Sequence, residues 1–315
     1  MTRQWIRKVK LTIGDSAEEV DVSQLRIRFK VEQNDIQRPN SAEIFVTNPK
    51  VETAKKFIKK EGVTVSLEAG YQEGWGLIFK GNVIQARYGR ENPVETFLAL
   101  VATSGDRAYN FSTVSKTLAS GATFKDQVDV ALQAMKPYGV TAGYITDLGS
   151  KQAPRALTLF GMARDLLRDV ATSTGSSWSI QNQKLQILKN NETLPGKDFV
   201  VNSQTGMIGL PVQTIGGIIV RMLLNPQIVP GTKIKLDQGS VQEAAFSPNY
   251  TAAVQNSMIP SIAEDGFYKV LVSEHHGDTH GNPWYTEVVC TRADGQGPQP
   301  IGLANRGVDL DPGQN

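Results

Sequence analysis

Alternating apolar and polar residues dominate both ends of the chain, whereas helical spacing is confined to short stretches. Leu25-Arg26-Ile27-Arg28-Phe29-Lys30-Val31 alternates strictly. That period predicts a strand with its apolar residues on a core and its three cations on the opposite face. A solvated or inter-subunit sheet face explains the basic stripe more simply than an acidic partner does. A helix is predicted over about 49–61. Asn48 can cap it, Pro49 suits its first position and Gly62 follows its end. Val51, Ala54, Phe57 and Ile58 form its apolar stripe, with lysines largely opposite. Strands resume at Val63–Leu67. The segments Asn82–Tyr88 and Val94–Ala102 read as a hairpin around a loop at Gly89–Pro93. Ser104–Arg107 reads as a turn between strands.

The middle changes character. Phe124–Met135 reads as a helix capped by Thr123 and stopped by Pro137 and Gly139. Pro154–Thr172 reads as a second helix, and Trp178–Leu188 as a hairpin turning at Gln181-Asn182-Gln183. Strands then return over Gln213–Leu224 and Thr232–Asp237, followed by a hairpin of Phe267–His275 and Tyr285–Thr291. The expected fold class is therefore α+β and β-rich. A first strand-rich domain spans 1–111, a small α+β insert 112–198 and a second strand-rich domain 199–294. The tail over 295–315, rich in glycine, proline and polar residues, is expected to be extended or disordered unless a neighbour holds it.

The two ends repeat each other. Gly62-Val63-Thr64-Val65-Ser66-Leu67-Glu68-Ala69-Gly70 matches the pattern of Gly231-Thr232-Lys233-Ile234-Lys235-Leu236-Asp237-Gln238-Gly239. A hairpin follows each, with Asn92-Pro93 in the first and Asn282-Pro283 in the second placed just before the return strand.

Composition narrows the function classes. Over 315 residues, 40% are hydrophobic and 20% charged, the balance of a folded chain. A formal charge of +2 gives no push toward nucleic acid or a membrane. No stretch approaches a membrane span, and the start lacks a signal-peptide pattern. Cys290 is the sole cysteine, so no intramolecular disulfide forms. It sits in an apolar strand pattern and reads as a small core residue.

Candidate chemistry is thin. All three histidines lie in Glu274-His275-His276-Gly277-Asp278-Thr279-His280. Histidine and carboxylate so close together could bind a metal. The repeat, however, places the segment at an exposed hairpin tip, and adjacent strand residues point to opposite faces. The acids Asp126, Asp129, Asp165 and Asp169 lie beside cations on helix faces and suit solvation better than acid–base work. No dinucleotide loop, phosphate loop or nucleophile elbow is present. No catalytic, cofactor-binding or metal residue is assigned.

Several stretches together carry a resemblance: Glu68-Ala69-Gly70-Tyr71 leading to Ile78-Phe79-Lys80-Gly81-Asn82-Val83; Ser120–Asp126; Thr205-Gly206-Met207-Ile208-Gly209-Leu210-Pro211 running on to Gly217–Val220 and Leu223–Pro226; and Pro230–Leu236. To about residue 293 the chain resembles the baseplate hub subunits of contractile-tailed bacteriophages, of the Mu-like and late-control-protein-D-like kind. The resemblance implies a structural protein, not an enzyme, needing no cofactor. It implies a homotrimer around a channel, each chain supplying two β-barrel domains related to the tail-tube protein. Three chains then present six similar units to the six-subunit tube, and hold the trimeric spike on the opposite side. Other implied partners are the tape-measure protein and further baseplate proteins. DNA crosses the channel during genome ejection without specific binding, and no stable membrane association is expected. The implied place is the virion tail baseplate, assembled in the host cytoplasm. Two other readings compete: a metal-dependent cell-wall hydrolase using His275, His276, His280 and Asp278, and a host-glycan-binding tail module.

Overall fold

A computed structural model describes residues 4–15, 18–59, 62–214, 216–237, 241, 263 and 265–294. The expected tail and the repeat residues Gln238-Gly239 lie outside these. Eighteen strands and four helices follow in order: β1 (Arg7–Asp15), β2 (Glu18–Asp21), β3 (Ile27–Asn34), β4 (Ser41–Thr47), α1 (Val51–Lys59), β5 (Thr64–Tyr71), β6 (Gly74–Arg90), β7 (Thr96–Thr103), α2 (Asp106–Phe111), β8 (Thr113–Leu118), α3 (Phe124–Met135), β9 (Thr141–Ile145), β10 (Leu157–Met162), α4 (Ala163–Thr174), β11 (Ser176–Gln181), β12 (Lys184–Lys189), β13 (Phe199–Val201), β14 (Val212–Thr214), β15 (Gly217–Leu223), β16 (Lys233–Leu236), β17 (Phe267–Asp278) and β18 (Trp284–Arg292). The β-rich class expected from the alternation is present.

Thirteen strands form one sheet. Its main path is β14-β15-β18-β17-β3-β4-β7-β6-β5-β1-β2, with β13 and β16 branching beside β17. No closed barrel forms among the described residues. The repeat is visible in the pairing. Strands β1, β3, β4, β5, β6, β7 lie in the lateral order 1-5-6-7-4-3, and β13 to β18 lie in the order 13-16-17-18-15-14. Six strands thus take the same places twice. One pairing differs: β1 runs antiparallel to β5, but β13 runs parallel to β16. Even the bulges correspond. β6 shifts register between Val83 and Gln85 opposite Ala102 and Val101, and β17 between Val270 and Val272 opposite Cys290 and Val289.

Three cores follow. One gathers Leu11, Ile27, Ile44, Leu67, Phe79 and Leu100 from the first half. Another, with Val220, Ile234, Tyr268 and Val288, belongs to the second. Between them lies the insert's core, where Val128, Leu167, Trp178 and Leu185 pack under α3 and α4. The hairpin β11–β12 turns on Asn182 and Gln183, both at positive φ (51° and 63°), the two-residue turn whose twist suits a hairpin. It wedges into the junction. Gln181 donates to Asn34 O at 2.6 Å, the Asn182 side chain accepts from Lys80 N at 3.0 Å, and Gln186 donates to Pro230 O at 3.2 Å. Beneath it, buried Lys269 donates to Lys189 O at 3.2 Å and lies 3.9 Å from buried Asp35. Burial pushes the Asp35 carboxyl up and the Lys269 ammonium down, and their mutual attraction opposes both shifts.

Several local expectations are corrected. The first helix starts at Val51, because Asn48 at φ 52° turns its side chain to accept from Thr96 N at 2.8 Å instead of capping. Ser104–Arg107 is not a simple turn. Gly105 in the left-handed region opens the short helix α2. The helix expected over Pro154–Thr172 loses its first half to β10, whose backbone pairs with β8. The strand expected over Gln213–Leu224 is a hairpin, β14 returning into β15 with Thr214 opposite Gly217.

The two halves meet where β17 pairs antiparallel with β3, His275 opposite Val31 and Gly277 opposite Phe29. At Gly277 a β-carbon would lie 2.2 Å from Phe29 Cζ. The ring covers the glycine and meets Trp284 edge-on at 5.6 Å. Gly277→Ala is therefore expected to lower stability by about 1–3 kcal/mol, read by urea unfolding. Unchanged stability would show that this packing is loose.

Candidate functional site

The seam between the two halves is where the candidate residues meet. Backbone pairing over Arg28–Asn34 and Val272–Asp278 makes one continuous sheet of both halves. Arg26 clamps Asp278 in a fork, Nη2–Oδ2 at 2.7 Å and Nε–Oδ1 at 3.2 Å. Ile27 N donates to Thr279 Oγ1 and Thr279 N to Ile27 O, both at 3.0 Å. Lys30 lies 3.3 Å from Glu274. Arg7 closes the end, donating to Asp278 O and Asn282 O at 3.1 Å, with its guanidinium 5.3 Å from the Trp284 ring centre.

The histidine segment is therefore not an exposed tip, as its place in the repeat suggested. Only Thr279–Pro283 turns; Glu274–Asp278 lies inside the seam because β3 covers the edge that its counterpart in β6 leaves open. His275 is fully buried. Its Nδ1 bonds Thr286 Oγ1 at 2.8 Å and its Nε2 lies 3.4 Å from Ser273 Oγ. His276 points to the other face, stacks on Tyr285 at 4.9 Å and meets Glu274 at 3.3 Å. His280 is exposed beyond the strand, its Nδ1 3.0 Å from Thr279 Oγ1. Asp278 is held by Arg26. Of the four candidate ligands, His276 and Asp278 line one cleft, whereas His275 is buried in the other face and His280 is exposed. Among the described residues no three His, Cys, Asp or Glu side chains converge on one point. Cys290 is buried in the second core, and burial pushes its thiol far up.

Charges on the open sheet face are largely paired: Arg28 with Glu91 at 2.6 Å, and Arg221 with Glu287 at 2.7 Å. At the hairpin end of the seam a cleft of about 440 Å³ has Phe45, Phe97 and Pro283 on its walls, with the Arg28–Glu91 pair beside them. Thr123 caps α3 as expected, and Asp126, expected on a solvated helix face, completes a reciprocal capping box with it. No helix among the described residues is long and apolar enough to cross a membrane.

A strand order used twice is joined by a β-seam and interrupted by an α+β insert. Residues 6–252 match the model of the family described as Baseplate hub gp41, and the chain belongs to that family. No curated protein matches it in sequence. Solved structures of the same fold include the 43 kDa tail protein of prophage MuSo2 from Shewanella oneidensis, at 9% identity and a TM-score of 0.60, over 92% of this chain and 99% of that one. A tail protein from Neisseria meningitidis MC58 gives 8% identity and 0.55 over 93% and 99%. The E. coli c3393 protein, a type VI secretion component, gives 8% and 0.51 over 95% and 78%.

Burial holds His275 neutral, with its pKa lowered from 6.5 to about 3, and the neighbouring His276 adds to the shift. Because the folded pKa is depressed, its contribution is complete above 6.5 and is lost as pH falls from there toward 3. Stability is expected to drop by about 1.4 kcal/mol per pH unit below 6.5, measured by urea unfolding between pH 7 and 5. In His275→Gln that slope should flatten. An equal slope in the variant would assign the acid sensitivity elsewhere.

Proposed function

We propose that this chain is a structural subunit of the phage baseplate hub. Three copies form a ring that joins the six-fold tail tube to the trimeric spike and lines the channel for genome ejection. The observation that carries the reading is the repeated lateral order of six strands within one chain. Two similar halves per chain let a three-fold ring offer six similar surfaces. Residues 1–111 and 199–294 would each supply a tube-like barrel wall, and 112–198 a peripheral insert. The tail over 295–315 is assigned to none of them. Closure of each barrel would come from neighbouring units, which fits an open sheet in the single chain.

The spike binds on one side of the ring, and the tube and tape-measure protein on the other. The paired charges of the open sheet face suit a lumen that DNA crosses without being held. The reading makes the chain non-enzymatic and cofactor-free, located in the virion after assembly in the host cytoplasm.

Light scattering on the purified protein, followed by particle images, tests this. Three chain masses and a ring with a central hole are expected, alone or on adding the spike. A strict monomer under both conditions would overturn the trimer.

A further inference from the structure

Where the two halves and the insert meet, a lysine and an aspartate are buried against each other. Lys269, on β17, is 2% exposed, and Asp35, just past β3, is 7% exposed. Lys269 Nζ lies 3.9 Å from Asp35 Oδ2. A charge-assisted hydrogen bond would be roughly 2.7–2.9 Å long, so the two groups face each other without one. The hydrogens of Nζ go elsewhere, to Lys189 O at 3.2 Å and Asn190 O at 3.4 Å. A neutral amine has two hydrogens and one lone pair. With both hydrogens held by carbonyls of the insert, the lone pair is left for the third polar neighbour of Nζ, the Asp35 carboxyl. The backbone ties the two segments together as well, Asp35 N donating to Leu271 O at 3.1 Å.

We propose that Lys269 and Asp35 condense to an amide, an isopeptide cross-link that fastens the second half of the chain to the first. Lys269 Nζ attacks Asp35 Cγ. The N–C bond forms, the carboxyl C–OH bond breaks, and the hydroxyl leaves as water with a proton from the nitrogen. One amide and one water account for every atom, and neither partner is oxidised or reduced. The amide nitrogen keeps one hydrogen, enough to hold the bond to Lys189 O. The inference concerns a single chain and does not depend on the ring.

Such a condensation needs a neutral amine and a neutral acid, and the site favours both. Burial pushes the Lys269 ammonium down and the Asp35 carboxyl up. A proton passed from Nζ to the carboxylate gives the neutral pair directly. Glu192 also attracts the ammonium, but its own carboxylate is held by Thr146 and by Lys189. Neutralising two buried charges removes their desolvation cost. The fold also supplies proximity, which for fixed groups is equivalent to an effective concentration of about 10⁵–10⁸ M. The flexible lysine stem lets Nζ close to the roughly 3–3.5 Å from which attack proceeds. Beside Asp35, the apolar cluster of Ile36, Leu271 and Val272 limits the access of water that would hydrolyse the product. The acid comes from the first half, the amine from the second and the carbonyls from the insert. The site is therefore complete only in the folded chain, and the reaction follows folding.

The test is the intact mass of the full-length chain, denatured after prolonged incubation in its folded state. The wild type should be lighter than its sequence by one water. Proteolysis should release a branched peptide in which Asp35 is joined to Lys269. Lys269→Arg and Asp35→Ala should each keep the full sequence mass. A lone buried charge can prevent folding, so the double variant Asp35→Leu with Lys269→Met, which removes both charges at similar volume, is the folded comparison. It should keep the full mass and run more slowly than the wild type on a denaturing gel, because a cross-linked chain stays more compact. A wild-type chain at full sequence mass would overturn the cross-link and leave an ordinary buried ion pair. A lost water that fragmentation maps to Asp265-Gly266, as a cyclic imide, would overturn it equally.

Discussion

Everything in the main sheet depends on the antiparallel pairing of β3 with β17. A strand with one paired edge is an unfinished object: its other backbone groups must find partners, water or a cover. Here the first half offers β3 and the second offers the far end of β17, and each completes the other. The neighbouring side chains then have fixed neighbours. Arg26 finds Asp278, Phe29 covers Gly277 and His275 loses its water. Without that pairing the two halves would share only side-chain contacts, such as Lys269 with Asp35 and Arg7 with Trp284, and the contacts of the insert.

The insert makes the angle of the seam hard to change. Its hairpin touches Asn34 and Lys80 on one side and Pro230 on the other, so it reads both halves at once. Lys269 and Asp35 sit under it, one from each half, with Lys189 of the insert supplying a carbonyl to the ammonium. Buried charges contribute little net stability against apolar replacements, but they penalise any arrangement that separates them. A joint of this kind suits a rigid adaptor better than a hinge.

Much of this was legible in the chain. Strict alternation around Phe29 marked β3, Thr123 marked the start of α3, and the Asn-Pro pairs marked both hairpin returns. What the pattern missed has local causes. Leu157–Met162 is strand because β8 pairs with it, which no helical propensity of Ala163–Leu167 reveals. The histidine segment was misplaced for a deeper reason. By repeat logic it matched an open hairpin end, and in the first half that inference holds. In the second half the same positions are covered by β3, a partner nearly the whole chain away. Spacing reports local geometry and is silent on which of two equivalent edges is used.

Arg26 and Asp278 are 252 residues apart in sequence. During synthesis the first half therefore emerges with β3 uncovered, and stays so until the last hairpin leaves the ribosome. A truncated product keeps that edge uncovered, whereas the finished chain hides it. The seam is thus the last joint of the sheet to close, and slow long-range closure is its kinetic cost.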